Sequence, residues 1–206
     1  MIRSKCGIRG AVGAVVFEGR PGKIELLNKT WAQKLFNRPA TIKVSPFAKV
    51  KRYPKKWWQV LFGFEGSLMM VSTNNIVTDQ GDALICDALS TTPARTLPNN
   101  ANAAIGVGTG FVSAIKGRTA LAAITGAYEA MDATYPLQKG AWGAADDNVL
   151  QFLASFEVAD LNASGIDEVA LSNGTDNLAY AEINPAINVT SSDSLAVTWE
   201  LTFLGA

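Results

Sequence analysis

Histidine is absent from the 206-residue chain. That removes the commonest general base, the commonest metal ligand and the one side chain that ordinarily titrates near neutral pH. Ser-His-Asp and Cys-His nucleophile pairs and HExxH zinc sites go with it. Cysteine is almost absent: Cys6 and Cys86 stand 80 positions apart. Without CxxC spacing they indicate neither a zinc site nor a disulfide framework, and both read as ordinary thiols. No run of about 18 apolar residues could cross a membrane as a helix. Residues 1–17 carry Arg3 and Arg9 and lack the small-residue cleavage pattern of a signal peptide, so the expectation is a soluble protein made and kept in the cytosol. Charged residues are sparse at 17%, against roughly 25% in globular proteins. What is abundant is core material, 48% apolar residues with 18 glycines, which excludes wholesale disorder. The length admits one full β domain or a domain plus an appendage.

The formal net charge is zero, but it is unevenly laid out. Residues 1–56 hold 14 basic against two acidic residues, a net of +12, and residues 57–206 hold four basic against 16 acidic, a net of −12. Such asymmetry is a statement about partners. The basic residues Arg38, Lys43, Lys49, Lys51, Arg52, Lys55 and Lys56 are interleaved with Phe36, Phe47, Tyr53, Trp57 and Trp58, and Phe62 follows in a dense apolar cluster. A basic, aromatic stretch can contact nucleic-acid phosphates and bases, lie on an acidic protein, or dock on the acidic body of an identical neighbour. Protein anchoring ranks first, since no RNP, KH, helix-turn-helix or Walker signature supports nucleic acid.

Two units are therefore expected. Residues 1–66 read as a basic, aromatic-rich N-terminal arm or small subdomain. Within it lie a short apolar run at 11–17, a turn at 19–22, a brief helical pattern from Lys23 to Phe36, and prolines 39, 46 and 54 that keep the chain extended and reaching outward. Residues 67–206 read as an antiparallel β-sandwich with one or two short helices. Thr78 can cap a helix whose first turn is acidic and whose apolar face includes Leu84 and Ile85. Ala104 to Gly110 reads as a short strand ending in a turn, and Thr119 to Ala122 as the start of a second helical turn. Strand alternation is plain in Val149 to Ala159 and unbroken from Leu195 to Phe203. Ile166–Leu171 and Leu178–Ile183 flank a hairpin loop at 172–177.

Chemistry is thin. The Gly106–Gly110 run fits neither GxGxxG nor a Walker loop and lacks a βαβ setting, so it reads as a strand end. Asp167 and Glu168 are adjacent on a strand and should point to opposite faces. Asp146 and Asp147 read as turn residues. Two sequons, at Asn173 and Asn188, carry little weight without a leader. No catalytic residue, metal ligand or cofactor is indicated, and the chain does not read as an enzyme.

The order of segments is more informative than any one of them. Asn75-Ile76-Val77-Thr78-Asp79-Gln80-Gly81-Asp82-Ala83-Leu84-Ile85, then Ile105 to Gly110, Thr119-Ala120-Leu121, Phe152 to Phe156, Ile166 to Gly174, and Asp193 to Phe203 follow one another. This succession resembles a class of tailed-bacteriophage virion structural proteins, with Ala170 where that class commonly has glycine. The resemblance covers about Asn75 to Ala206 and not the basic arm. It implies a non-enzymatic particle component, made in the host cytoplasm and located in the virion, a capsid decoration (cement) protein ahead of a tail, neck or fibre part. Implied partners are a major capsid protein or other virion proteins and the chain itself as a homo-oligomer, with no membrane. Nucleic-acid contact through the arm ranks lower. So does a carbohydrate-binding β module, for which Tyr128, Tyr135 and Trp142 are the candidate loop aromatics.

Overall fold

The computed structural model describes residues 7–26, 42–46, 48–52 and 70–204. These form the strands β1 (Gly7–Glu18), β2 (Ile24–Leu26), β3 (Ile42–Val44), β4 (Met70–Val77), β5 (Ala104–Gly108), β6 (Ile124–Ala130), β7 (Leu137–Gln138), β8 (Val149–Phe156), β9 (Ala163–Ser172), β10 (Asn177–Val189) and β11 (Asp193–Leu204), and the single helix α1 (Asp79–Ala88) among them. The protein is mainly β and every strand pairing is antiparallel, as the alternating sequences predict.

Nine strands run in the order β6-β5-β9-β10-β4-β1-β11-β8-β7, and β2-β3 form a separate hairpin. Strand β4 is where the large sheet folds over. Its residues Met70–Asn75 pair with β1, while Ile76 and Val77 pair with β10. The two leaves so formed touch across their inner faces, β1 and β11 against β10 and β6 against β8. The main core lies between them, with Trp199, Phe152, Phe156, Ile105, Leu171 and Ile187 all fully buried.

The apolar run at 11–17 does not alternate because β1 is buried on both faces. Val12, Ala14 and Val16 join the inter-leaf core. Val15 and Phe17 point the other way and pack with Leu153, Ala196, Ile24 and Ile42 beneath the β2-β3 hairpin. Covering a side chain the size of Phe17 is worth about 2–3 kcal/mol, which gives the hairpin a reason to lie there. Two expectations are corrected by this. Residues 7–18 of the presumed arm are a strand of the main sheet, flanked by β4 and β11, so position 66 does not divide arm from sandwich. Its described later residues fold back instead of reaching outward: Glu18 N donates to Lys49 O at 2.9 Å, Lys51 N to Val16 O at 2.9 Å, and Phe17 bridges Val50. The brief helical pattern begins as strand β2, and its remainder, 27–36, lies outside the described residues.

Helix α1 starts where its cap requires. The Thr78 hydroxyl accepts from Gly81 N at 3.1 Å and donates to Asn177 O. Asp79 and Asp82 sit in the first turn, and Asp79 N donates to Lys116 O at 2.8 Å. A side chain at Gly81 would come within 2.2 Å of Leu178 O, so glycine lets the helix lie directly on β10.

Thr119 to Ala122 does not become a helical turn. The amides of Ala122 and Ala123 are taken by the Glu168 carboxylate, at 2.9 and 2.7 Å, instead of by carbonyls of their own segment. Gly106 and Gly108 permit the close approach that follows. A Cβ on Gly108 would lie 2.3 Å from Ala123 O and 2.4 Å from Glu168 Oε1.

Candidate interaction surfaces

The part of the basic segment described after β1 forms a layer over the outer face of the β1-β11-β8 leaf. Lys43 stands on β3, exposed, with Glu25 opposite it on β2. Lys49 is exposed in the segment that follows, and with Arg52, Glu18, Ala48 and Val50 it lines a shallow hollow of about 500 Å³. Lys51 is turned inward and pairs with Asp193 at the start of β11. Burial works against the Asp193 charge. Lys51, the Thr190 hydroxyl at 2.5 Å and the Thr190 amide at 2.8 Å outweigh it and hold the carboxyl below its ordinary range. Lys51 thus fastens the layer, and Lys43 and Lys49 face outward from it. Arg38, Lys55, Lys56, Trp57, Trp58 and Phe62 lie outside the described residues.

The four cations of residues 57–206 all have partners within the chain. Arg95 pairs with Asp176 at 2.9 Å, Lys139 with Glu200 at 2.8 Å, and Lys116 with Asp82. Arg118 lies over the Tyr180 ring, 5.3 Å from its centroid. The acidic excess of this part is therefore left to the surface. Part of it lines a cleft of about 430 Å³ bounded in part by Glu129, Asp132, Glu157 and Lys23. Burial, then the nearby charges of Asp160, Asp132 and Glu157, push the Glu129 carboxyl up. Burial also raises Asp132, against hydrogen bonds from Ser155. Among the described residues no group of three or more acidic or cysteine side chains is arranged to hold a metal ion.

Other candidate groups prove structural. Asp167 and Glu168 both serve the loop from Thr109 to Ala123: Asp167 accepts from Phe111 N at 3.0 Å, and Glu168 accepts from Ala122, Ala123 and the Tyr180 hydroxyl, the last at 2.6 Å. The expectation of opposite faces misses that one loop reaches both carboxylates. Glu168 is completely buried. Its burial disfavours the charge, and the Tyr180 hydroxyl with the amides of Ala122, Ala123 and Gly110 more than compensates, so its carboxyl is held below the usual glutamate range. Tyr180 is correspondingly pushed up, by burial and by this same carboxylate. The phenol stays protonated as a donor, stacked on Phe111 with ring centroids 5.7 Å apart.

Asp147 is a turn residue as read, accepting from Gly143 N at 2.8 Å. Asn173 is buried, its amide spent on Thr96 O, Thr175 N and Asp176 N, so its sequon is inaccessible in the fold. Of the three aromatics expected on loops, Tyr135 packs on both core clusters, and Tyr128 stands instead on strand β6, against Gly106, with its hydroxyl bonded to the Leu121 backbone. Trp142 alone stands out, 96% exposed.

One end of the sandwich is apolar. Leu84, Ile85 and Leu89 of the helix region, Leu97 and Pro98 of the following loop, and Leu150, Leu201 and Phe203 of the sheet line a groove of about 330 Å³. Sequence reasoning missed this groove because its walls come from five separate stretches of chain, Leu178 among them. No helix among the described residues is long and apolar enough to cross a membrane. No family model, curated protein or solved structure matches the chain.

Proposed function

We propose that the protein is a structural component of a tailed-phage particle, a capsid decoration protein in the first instance, that binds an acidic protein surface through its basic layer. The observation that carries this reading is the charge layout joined to the order of segments. Fourteen of the 18 basic residues fall within residues 1–56, and of these Lys43, Lys49, Lys51 and Arg52 belong to the layer over one face of an antiparallel sandwich. Five of the six segments of the resemblance coincide with an element, Thr78–Ile85 with the capped helix, Ile105–Gly108 with β5, Phe152–Phe156 with β8, Ile166–Ser172 with β9 and Asp193–Phe203 with β11, whereas Thr119–Leu121 falls in a loop. A mechanical role also accords with what the buried carboxylates Glu168, Asp193 and Glu200 do, since each is used to fasten chain to chain. Many weak charge contacts repeated over a shell add to firm attachment by multivalency.

Truncation at residue 66 is no test, because it removes β1 from the main sheet. Charge reversal at the two outward lysines, K43E with K49E, leaves the core untouched. Attachment to particles should then weaken and dissociate at lower salt than wild type. Unchanged retention through a salt gradient would refute the role given to the basic layer. The nucleic-acid alternative makes its own demand: binding to DNA whose log K falls linearly with log salt, by about 0.9 per phosphate neutralised.

A further inference from the structure

We propose that the apolar end of the sandwich is a self-association surface in which Trp142 of each of two copies inserts into the groove of the other. The inference goes beyond the particle assignment and does not depend on it, because it needs only two features of the fold.

The first is a rigid apolar projection. Trp142 is 96% exposed, an extreme for the largest side chain, and its neighbours Ala141, Gly143, Ala144 and Ala145 are small, uncharged and exposed. The loop beneath is closed on itself. Lys139 N donates to Val149 O at 2.9 Å, Gly140 N to Asp146 O at 3.2 Å, Ala144 N to Ala141 O at 2.9 Å and Asp147 N to Ala144 O at 3.2 Å. Gly143, at φ +85°, makes the reversal that a residue with a Cβ resists, and its amide is held by Asp147. An aromatic presented on a pre-ordered loop loses little conformational entropy on binding.

The second feature is the groove, whose rim residues Leu89, Leu97 and Phe203 are 84%, 48% and 36% exposed. At about 330 Å³ it is at the small end of the range for ligand clefts, and it has room for one bicyclic side chain. The tip of the Trp142 loop would carry no charge into it, and the indole N–H keeps a partner only if it stays at the wet rim. Projection and groove share one end of the molecule: Asn148 at the base of the loop and Phe203 at the groove wall exchange hydrogen bonds, Phe203 N to Asn148 O at 2.9 Å and Asn148 Nδ2 to Phe203 O at 2.7 Å. With the two this near one another, a two-fold axis is the arrangement that would satisfy both insertions at once and close the assembly as a pair.

Area sets the strength. Two indoles bury about 200 Å² each, and with the walls that receive them the total is on the order of 800 Å², below the roughly 1,200 Å² of a standard specific interface. The pair should therefore be weak in free solution, with a Kd in the range of about 10 μM to 1 mM.

Sedimentation equilibrium of the full chain, taken to about 1 mM, tests this with the exposed-site variants W142A and L89E, whose unaltered melting confirms that they fold. Wild type should show a monomer–dimer equilibrium, and each variant should weaken it on the order of thirtyfold. Mixed together, W142A supplies an intact groove and L89E an intact tryptophan, so the mixture should associate more tightly than either alone. A wild type that stays monomeric, a W142A that pairs like wild type, a mixture no tighter than its parts, or open-ended growth past the dimer would each overturn the proposal.

Discussion

Glu168→Gln should destabilise the protein more than its isosteric size suggests. The wild-type carboxylate is fully buried and accepts from Tyr180 Oη at 2.6 Å, Ala123 N at 2.7 Å and Ala122 N at 2.9 Å. These donors converge on both oxygens, Ala123 on Oε1 and Tyr180 with Ala122 on Oε2. Glutamine keeps one acceptor and turns the other position into a donor facing a donor. Hydrogen bonds to a charged group contribute about 1.5–3 kcal/mol each, and a buried N–H left unpaired costs about 1–3 kcal/mol. Relief from burying a charge offsets part of this, leaving a net loss of about 3 kcal/mol. At roughly 2–4 °C per kcal/mol for a chain of this size, melting should fall by about 10 °C. The pH dependence follows from linkage. The folded carboxyl is held below its unfolded value, so its contribution is present above the unfolded pKa, about 4.3, and is lost as pH falls through the folded value. Calorimetry at pH 7 and near pH 3 should show a large difference between wild type and variant at the first and a small one at the second. Hydrogen exchange should locate the loss at the amides of Ala122 and Ala123. A shift under about 0.5 kcal/mol, or one unchanged with pH, would refute the reasoning.

Three further outcomes are expected. Thr78→Ala removes a helix cap whose hydroxyl also donates to Asn177 O and should cost about 1–2 kcal/mol in chemical unfolding, with Thr78→Ser close to wild type. Gly81→Ala drives a methyl to 2.2 Å from the Leu178 carbonyl; it should cost more than 2 kcal/mol although alanine is the better helix former by about 1 kcal/mol, and a neutral result would mean α1 does not lie on β10. Glu129→Gln removes one of several mutually repelling carboxylates whose folded value is raised. A raised folded value means stability lost as pH rises through it, so the variant should melt a few degrees higher at pH 7 and no higher than wild type near pH 3.

The elements visible in the sequence are those whose pattern is set locally. Strand β11 alternates because one face meets the core and the other holds Thr198 and Glu200 under the outer layer, and α1 announces itself by Thr78 and its acidic first turn. Strand β1 was less legible, since burial on both faces erases alternation, and its flanking by basic residues masked it as arm. The loop from Thr109 to Ala123 was illegible as well. Its shape depends on Glu168, some 45 residues downstream, and no local rule reports a carboxylate that arrives from another strand. Of the candidate site residues, Lys43 and Lys49 do face outward, whereas Lys51 is spent on Asp193. Trp142 could be singled out as an aromatic in a Gly/Ala loop, but the groove near it could not, because Leu84, Leu97, Leu150 and Phe203 meet only in the folded chain.

The most direct test of the central claim is the number of copies in purified phage particles, counted by quantitative mass spectrometry against the major capsid protein. The account predicts hundreds of copies per particle, released by raised salt as charge-held contacts are screened. A few to a few dozen copies would move the protein to the tail or neck, and absence from the particle would contradict the structural role altogether.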